Sequence, residues 1–101
     1  MNLLLLGRGK TGSLIEDVAR LRGHCVQALT SKENQHGSAL TAERLRSIDA
    51  VIDFTTPDAV LENMRACIRT RKPIVVGTTG WYEHIPELER EVEDASATVL
   101  Y

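Results

Sequence analysis

The sequence predicts an α/β fold built on a doubly wound parallel sheet of about five strands, in the order 2-1-3-4-5, with helices on both faces. Short apolar segments alternate with amphipathic helical segments along the whole chain. The first apolar segment, residues 3–6, contains only leucine, which is typical of a strand that is covered on both faces. A glycine-rich loop separates this strand from the first helix, as in the Rossmann-like sheets that bind nucleotides.

The individual elements follow from the period of the apolar residues and from the turn signals. We expect strands over residues 3–6, 24–29, 50–54, 74–76 and 98–101. We expect helices over residues 10–21 and 86–95, a helix that begins with Thr56 as N-cap and Pro57, and a short helix or turn over residues 41–47. The apolar residues of the first helix fall on one face and are Leu14, Ile15, Val18 and Ala19.

The loop after the first strand has the pattern G-x-G-x-x-G and comprises Gly7, Arg8, Gly9, Lys10, Thr11 and Gly12. The first glycine permits a tight turn, the second lets a pyrophosphate approach the backbone, and the third lets helix and strand pack closely. We therefore predict a dinucleotide site at the start of the helix, with a plain strand-to-helix turn as the alternative. A Walker loop is excluded, because G-x-x-x-x-G-K-[ST] would need glycine where Leu4 stands.

The composition is that of one ordinary globular domain, with 101 residues, 43% of them hydrophobic, and a net charge of −2. No apolar segment approaches the ~20 residues that span a membrane, and the basic residues are scattered. We therefore expect neither a membrane nor a nucleic acid as partner, and a cytoplasmic location. Cys25 and Cys67 lie far apart without clustered histidine, which predicts two reduced thiols and no metal site.

The end of the second strand bears on the choice between NAD and NADP. In a dinucleotide fold this position meets the adenosine ribose, and an acidic residue there holds the 2′-hydroxyl of NAD. Ser31 and Lys32 stand here, and a cation without a carboxylate favours the 2′-phosphate of NADP. The alternative is that Lys32 is solvated and Glu33 binds the ribose. The sequence therefore predicts NADPH as the cofactor, with NADH possible.

Three loops should converge at the carboxyl ends of the strands, near the point where the strand order reverses. They are residues 7–12, residues 54–57 and residues 77–80. Threonine and glycine at strand ends are also ordinary turn residues. Two such loops beside a glycine-rich loop nevertheless predict a ligand site at this edge of the sheet.

At these residues the sequence resembles the dihydrodipicolinate reductases, or 4-hydroxy-tetrahydrodipicolinate reductases, of bacterial lysine and diaminopimelate synthesis. The likeness rests on the GRGKTG loop, on VIDFT at residues 51–55 with Pro57, and on VGTTG at residues 76–80 followed by Trp81. The resemblance implies NAD(P)H-dependent reduction of a cyclic imine-type dicarboxylate. It also implies a homotetramer for the full enzyme.

The resemblance assigns roles to individual residues. Residues 7–12 match the pyrophosphate loop of the family, and Ser31 and Lys32 match its ribose site. The residues that match the nicotinamide side are Phe54, Thr55, Gly77, Thr78 and Thr79, and Thr79 is also expected to contact the substrate carboxylate. No catalytic residue is expected within residues 1–101, which we interpret as a dinucleotide-binding domain truncated before a catalytic and oligomerisation domain. Such a domain alone would bind cofactor without turnover.

Two alternatives stay open. An NAD(P) oxidoreductase of the glucose-fructose oxidoreductase-like type has the same layout, but it typically carries Glu-Lys-Pro where residues 77–79 stand. A nucleotide-sensing module without enzymatic activity would also suit the short length, but only if Tyr101 is the true C-terminus. His24, His36 and His84 do not match the catalytic motif of the reductases, and we expect each at the surface or at a strand edge.

Overall fold

The computed structural model of the protein describes residues 1–7 and 9–101, which form a five-stranded sheet flanked by helices. The strands are β1 (Asn2–Leu6), β2 (Cys25–Leu29), β3 (Ala50–Asp53), β4 (Ile74–Val76) and β5 (Val99–Leu100). The α-helices are α1 (Lys10–Leu21), α2 (Ala42–Leu45), α3 (Pro57–Arg69) and α4 (Ile85–Ala95). Short 3-10 turns cover Gln35–Gly37 and Tyr82–His84. No helix of this described part of the chain is long and apolar enough to cross a membrane.

All neighbouring strands run parallel, and their order β2-β1-β3-β4-β5 confirms the predicted topology. Leu5 of β1 pairs with Ala28 of β2 on one side and with Ile52 of β3 on the other. The strand order therefore reverses between β1 and β3. The loops that follow these two strands diverge there and leave a crevice at the carboxyl edge of the sheet.

The leucines of β1 contribute to two separate cores, because successive side chains of a strand point to opposite faces of the sheet. Leu3 and Leu5 pack with Ala19 of α1 and Val26 of β2. The other two leucines pack against α3 and α4, in a cluster that includes Leu4, Leu6, Val60, Met64, Cys67 and Leu88. Since both faces of β1 are covered, this strand has no polar alternation.

The apolar face predicted for α1 is only partly buried. Ala19 is buried and Ile15 is half-buried, whereas the side chain of Leu14 is 64% exposed and that of Val18 is 48% exposed. The helix itself was predicted correctly. The spacing of its apolar residues, however, did not show which of them pack against the sheet. The small residues of α1 are the ones that approach β1, so its larger apolar side chains lie outside the core.

Threonine side chains begin two of the helices, as predicted. The hydroxyl oxygen of Thr56 accepts a hydrogen bond from the backbone N–H of Ala59 at 3.3 Å, and Pro57 occupies the first helical position of α3. The hydroxyl oxygen of Thr41 accepts a hydrogen bond from the N–H of Arg44 at 3.2 Å at the start of α2. The cap at Thr56 fixes the point at which the chain leaves the carboxyl edge of the sheet.

Candidate functional site

The ends of β1, β3 and β4 bring the three predicted loops to one edge of the sheet, where they border two adjoining clefts. The larger cleft has a volume of about 770 Å³ and extends from the end of β2 to the start of α3. The smaller cleft, of about 370 Å³, lies between residues 9–12 and residues 77–79. Phe54 and Thr55 line both clefts. The two clefts are therefore neighbouring parts of one elongated site.

Two glycines of the loop are required by close approaches of the backbone. Gly7 has a φ of 95°, and a Cβ at this position would lie 2.2 Å from the carbonyl oxygen of Phe54. A Cβ on Gly12 would lie 2.4 Å from the carbonyl oxygen of Gly7. Side chains cannot be accommodated at such distances, so glycine at these two positions permits the tight turn and the close packing of α1 on β1.

The middle glycine of the loop faces open space. No described atom lies within 4 Å of a Cβ built on Gly9. Gly9 is the N-cap of α1 and makes no side-chain capping bond, and the first turn of α1 holds no acidic residue. The backbone N–H groups of this first turn have no intrahelical partner, so they suit an anion in the smaller cleft.

Two further loop residues lie beside these N–H groups. Lys10 and Thr11 are both exposed and both line the smaller cleft. The ammonium group of Lys10 adds positive charge to an edge that already carries the positive end of the α1 dipole. Arg8, which was predicted as part of the same loop, lies outside the described residues.

The end of β2 lines the larger cleft through Ser31 and Lys32, which are both exposed. The carboxylate of Glu33 accepts hydrogen bonds from the backbone N–H of Thr30 at 2.9 Å and from its hydroxyl at 3.0 Å. Glu33 thus closes the turn after β2 and does not line the cleft, whereas Lys32 does. The role of Lys32 at the ribose, and the alternative in which Glu33 meets the ribose, stay predictions.

The opposite wall of the larger cleft comes from α3 and is acidic. Asp58 and Glu62 line it, and the carboxylate of Glu62 lies 3.0 Å from the Nδ1 atom of His36, which lines the same cleft. His36 itself has a φ of 55°, which is unusual for a residue with a side chain. Among the described residues that line this cleft, Lys32 at the end of β2 is the only lysine or arginine.

The loops after β3 and β4 form the far end of the site. Thr78 and Thr79 line the smaller cleft, with Thr79 exposed and Thr78 buried. A Cβ on Gly77 would lie 2.2 Å from the ring of Phe54, so the absence of a side chain lets this ring pack against the β4 loop. All five residues that the resemblance assigned to the nicotinamide side therefore line the smaller cleft, and two of them, Phe54 and Thr55, also line the larger one.

Asp53 is the residue that the sequence reasoning missed. Its carboxylate is fully buried and accepts hydrogen bonds from the N–H and hydroxyl of Thr55, at 3.0 and 2.7 Å, and from the hydroxyl of Thr78, at 2.8 Å. The side-chain amide of Asn63 on α3 donates a further hydrogen bond at 2.9 Å. A carboxylate at the end of an otherwise apolar strand was the signal in the sequence, because such a group is buried only when it is hydrogen-bonded.

The thiols and histidines lie outside this site, apart from His36. Burial raises the pKa of the Cys67 thiol from 9.0 to about 12, and the nearby negative charge of Asp53 adds to this shift. His24 lies 3.2 Å from the terminal amino group, and His84 is half-buried beside two glutamates. No cluster of three potential metal ligands occurs among the described residues.

The fold and the clefts define a Rossmann-like α/β domain with a glycine-rich loop at the crevice where such sheets bind nucleotides. Over residues 1–101 the sequence matches the family described as "Dihydrodipicolinate reductase, N-terminus". The chain therefore belongs to this family. The match agrees with the resemblance seen in the sequence and decides against the glucose-fructose oxidoreductase-like alternative.

Curated relatives bear the name 4-hydroxy-tetrahydrodipicolinate reductase. The protein of Christiangramia forsetii is 29% identical, and the similarity covers 100% of this chain and 41% of the relative. The protein of Exiguobacterium sp. is 37% identical, covering 98% of this chain and 39% of the relative. The protein of Natronomonas pharaonis is 38% identical, covering 80% and 36%. The chain thus spans about two fifths of the length of these relatives.

Proposed function

We propose that this chain is the NAD(P)H-binding domain of a reductase that acts on a cyclic dicarboxylate, in lysine and diaminopimelate synthesis. The observation that carries the proposal is the pair of adjoining clefts at the crevice of the sheet, with a volume of about 770 Å³ for the larger one. An elongated site with two compartments suits a ligand with two nucleotide halves joined by a pyrophosphate. The name of the curated relatives supports the reductase and its substrate class.

The residues present fit a dinucleotide. The N–H groups of residues 9–12 and the ammonium group of Lys10 would hold the pyrophosphate, where the open space over Gly9 admits it. Phe54 and the loop 77–79 would hold the nicotinamide end. Bound NADPH supplies the hydride that reduces the substrate. The role of Arg8 in the pyrophosphate loop stays a prediction.

NADPH is the cofactor that the ribose end of the site favours. Lys32 lines the larger cleft, while Glu33 is engaged with Thr30 and lies outside the lining. A cation at this position attracts a 2′-phosphate through charge-assisted hydrogen bonds, and Ser31 adds a hydroxyl donor. NADH lacks this phosphate and would bind more weakly, although the rest of the site treats both nucleotides alike.

The substrate would lie beside the nicotinamide end. Thr79 is exposed at the mouth of the smaller cleft, where its hydroxyl can donate a hydrogen bond to a substrate carboxylate. We place the catalytic acid and the contacts of a homotetramer in the part of the relatives that this chain does not match, since it spans about two fifths of their length. The cytoplasmic location stays a prediction.

The test is a calorimetric titration of the protein with NADPH and with NADH. The wild-type chain should bind NADPH more tightly, and Lys32→Asp should weaken NADPH binding by about tenfold to a hundredfold while leaving NADH binding nearly unchanged. Lys10→Ala should weaken both nucleotides by a similar factor, because the pyrophosphate is common to them.

The control is Arg90→Asp, which makes the same reversal of charge on the exposed surface of α4, away from both clefts. It should leave both affinities unchanged. If neither nucleotide binds the wild-type chain, the proposal of a dinucleotide site is wrong. If both bind and Lys32→Asp changes neither ratio nor affinity, only the assignment of the ribose end is wrong.

A further inference from the structure

A chain of buried side-chain hydrogen bonds runs beneath the two clefts. Asn34, in the loop after β2, donates from its side-chain amide to the Oδ1 atom of Asn63 at 3.0 Å. Asn63 in turn donates to Asp53 at 2.9 Å, and Asp53 accepts from Thr55 and Thr78. This hydrogen-bond network thus connects the loop after β2 with the loops after β3 and β4.

The chemistry of the side chains determines which group donates and which accepts in each hydrogen bond of this network. An ionised carboxylate only accepts hydrogen bonds, so Asp53 forces Asn63 to present its NH₂ group. The Oδ1 atom of Asn63 then faces Asn34, which must present its own NH₂ group. The remaining oxygen of Asn34 accepts a hydrogen bond from the backbone N–H of Ala39 at 3.0 Å. The network is therefore complete in one arrangement only, and reversing any one amide would break two bonds.

Asn63 is hydrogen-bonded to both Asn34 and Asp53, and so it joins the two halves of this network. It lies on α3, is 2% exposed, and lines the larger cleft at its base. On one side it holds the loop that follows Lys32, and on the other side it holds the carboxylate that orders the loops of Thr55 and Thr78. Burial makes each of these bonds costly to lose, because an unpaired amide or carboxylate would be left without water.

We propose that Asn63 is a positioning residue that couples the adenosine end of the site to its nicotinamide end through Asn34 and Asp53. The inference rests on the proposed dinucleotide site and adds a link between its two halves. A ligand group that orders the loop after β2 thereby also orders the loops after β3 and β4. The domain would bind the nicotinamide half better once the adenosine half is in place.

The experiment uses adenosine 2′,5′-bisphosphate, which contains only the adenosine half of NADPH. The readout is amide hydrogen exchange by NMR at Gly77, which lines only the smaller cleft and whose N–H donates to the carbonyl oxygen of Asp53 at 2.8 Å. Saturating fragment should slow this exchange by about fivefold or more in the wild-type chain. The 5′-phosphate of the fragment also reaches the smaller cleft, and any bound ligand slows exchange by general stabilisation, so the decisive comparison is between the wild-type protein and the variants below at saturating fragment.

Two variants interrupt the hydrogen-bond network at different points. Asn34→Asp keeps the oxygen that accepts from Ala39 but removes the NH₂ group that reaches Asn63, and Asn63→Leu removes both bonds of Asn63 at nearly constant shape. Each variant should still bind the fragment, yet the slowing at Gly77 should disappear. His36→Leu is the matched control, because leucine cannot hydrogen-bond Glu62 and so breaks the exposed contact between the same loop and the same helix, and it should retain the slowing.

The alternative route for such an effect is the ring of Phe54, which borders both clefts. An effect carried by this ring would persist in both variants, and that result overturns the inference. Unchanged exchange at Gly77 in the wild-type chain with bound fragment overturns it as well. If the fragment and NADPH both fail to bind the wild-type chain, the proposed function fails first, and the coupling fails with it.

Discussion

The two faces of the sheet are packed to very different degrees. On the face covered by α3 and α4, the fully buried side chains include Leu4, Leu6, Leu45, Val51, Val60, Met64, Cys67 and Ile74. On the other face, α1 covers β1 and β2, but large apolar side chains stay exposed, and these are Leu14, Val18, Leu21, Val75 and Leu100. Val75 and Leu100 lie in the same row as Leu5, because their strands pair in register.

The two faces have different roles: one supplies most of the stability of the fold, and the other supports the glycine loop. Burial of apolar area is the main source of stability, so most of it comes from the α3 and α4 face. The glycine loop instead belongs to α1, which meets the sheet through backbone contact at Gly12 and through few buried side chains. We therefore expect α1 to open at lower free energy than α3, so that the loop has more freedom to adapt to a ligand than the core beneath it.

The largest expected contrast is chemical and concerns Cys67, which lies inside the well-packed face. A rise of its pKa from 9.0 to about 12 lowers the thiolate fraction at pH 8 by roughly a thousandfold. Cys25 is exposed on β2 and serves as the internal reference. Titration with a chromogenic disulfide should show one fast thiol, with the second appearing only on unfolding. Two fast thiols would show that the α3 face opens readily.

The same thiol makes stability depend on alkaline pH. The folded pKa of Cys67, about 12, lies above the unfolded value of 9.0, so the unfolded state loses its proton first as the pH rises. The free energy of unfolding should therefore fall between pH 9 and pH 12. Cys67→Val, which keeps the volume but cannot ionise, should show a smaller fall between urea unfolding curves at pH 7 and pH 10.

The next largest effect compares one methionine with one leucine. Met64 on α3 is fully buried, and Met64→Ala should lower the free energy of unfolding by about 2–5 kcal/mol, because it leaves a cavity in the close-packed core. Leu21 on α1 is 87% exposed, and Leu21→Ala should change it by less than about 0.5 kcal/mol. Urea unfolding followed by the fluorescence of Trp81 measures both. Similar losses for the two variants would contradict the difference between the faces.

Much of the fold could be predicted from the sequence, because several short sequence patterns are each typical of one kind of secondary structure. Four leucines without polar alternation required a strand covered on both sides, and Thr56 with Pro57 fixed the start of α3 to the residue. The extent to which α1 is covered could not be predicted. The period of an amphipathic helix gives the direction of its apolar face, but not whether other elements of the chain cover all of it.

The positions of the site loops were predictable for a different reason. In a parallel sheet the chain order fixes which strand ends meet, so the loops at residues 7–12, 54–57 and 77–80 had to share one edge. The hydrogen-bonded chain from Asn34 to Asp53 was not predictable. Its members are far apart in the sequence and have no common motif, and only the packing of α3 across the sheet brings their side chains within reach of one another.

A double substitution on α1 tests whether this face is as uncovered in solution as in the structure. Replacing Leu14 and Val18 together by glutamine should change the free energy of unfolding by less than about 1 kcal/mol, because both side chains already contact water. A larger loss would mean that something covers this flank. Sedimentation equilibrium on the same samples identifies a second copy of the chain as the cover, since the loss would then grow with protein concentration. An equally large loss at every concentration in a monomeric chain would instead place these side chains in the core, and the contrast between the two faces would be wrong.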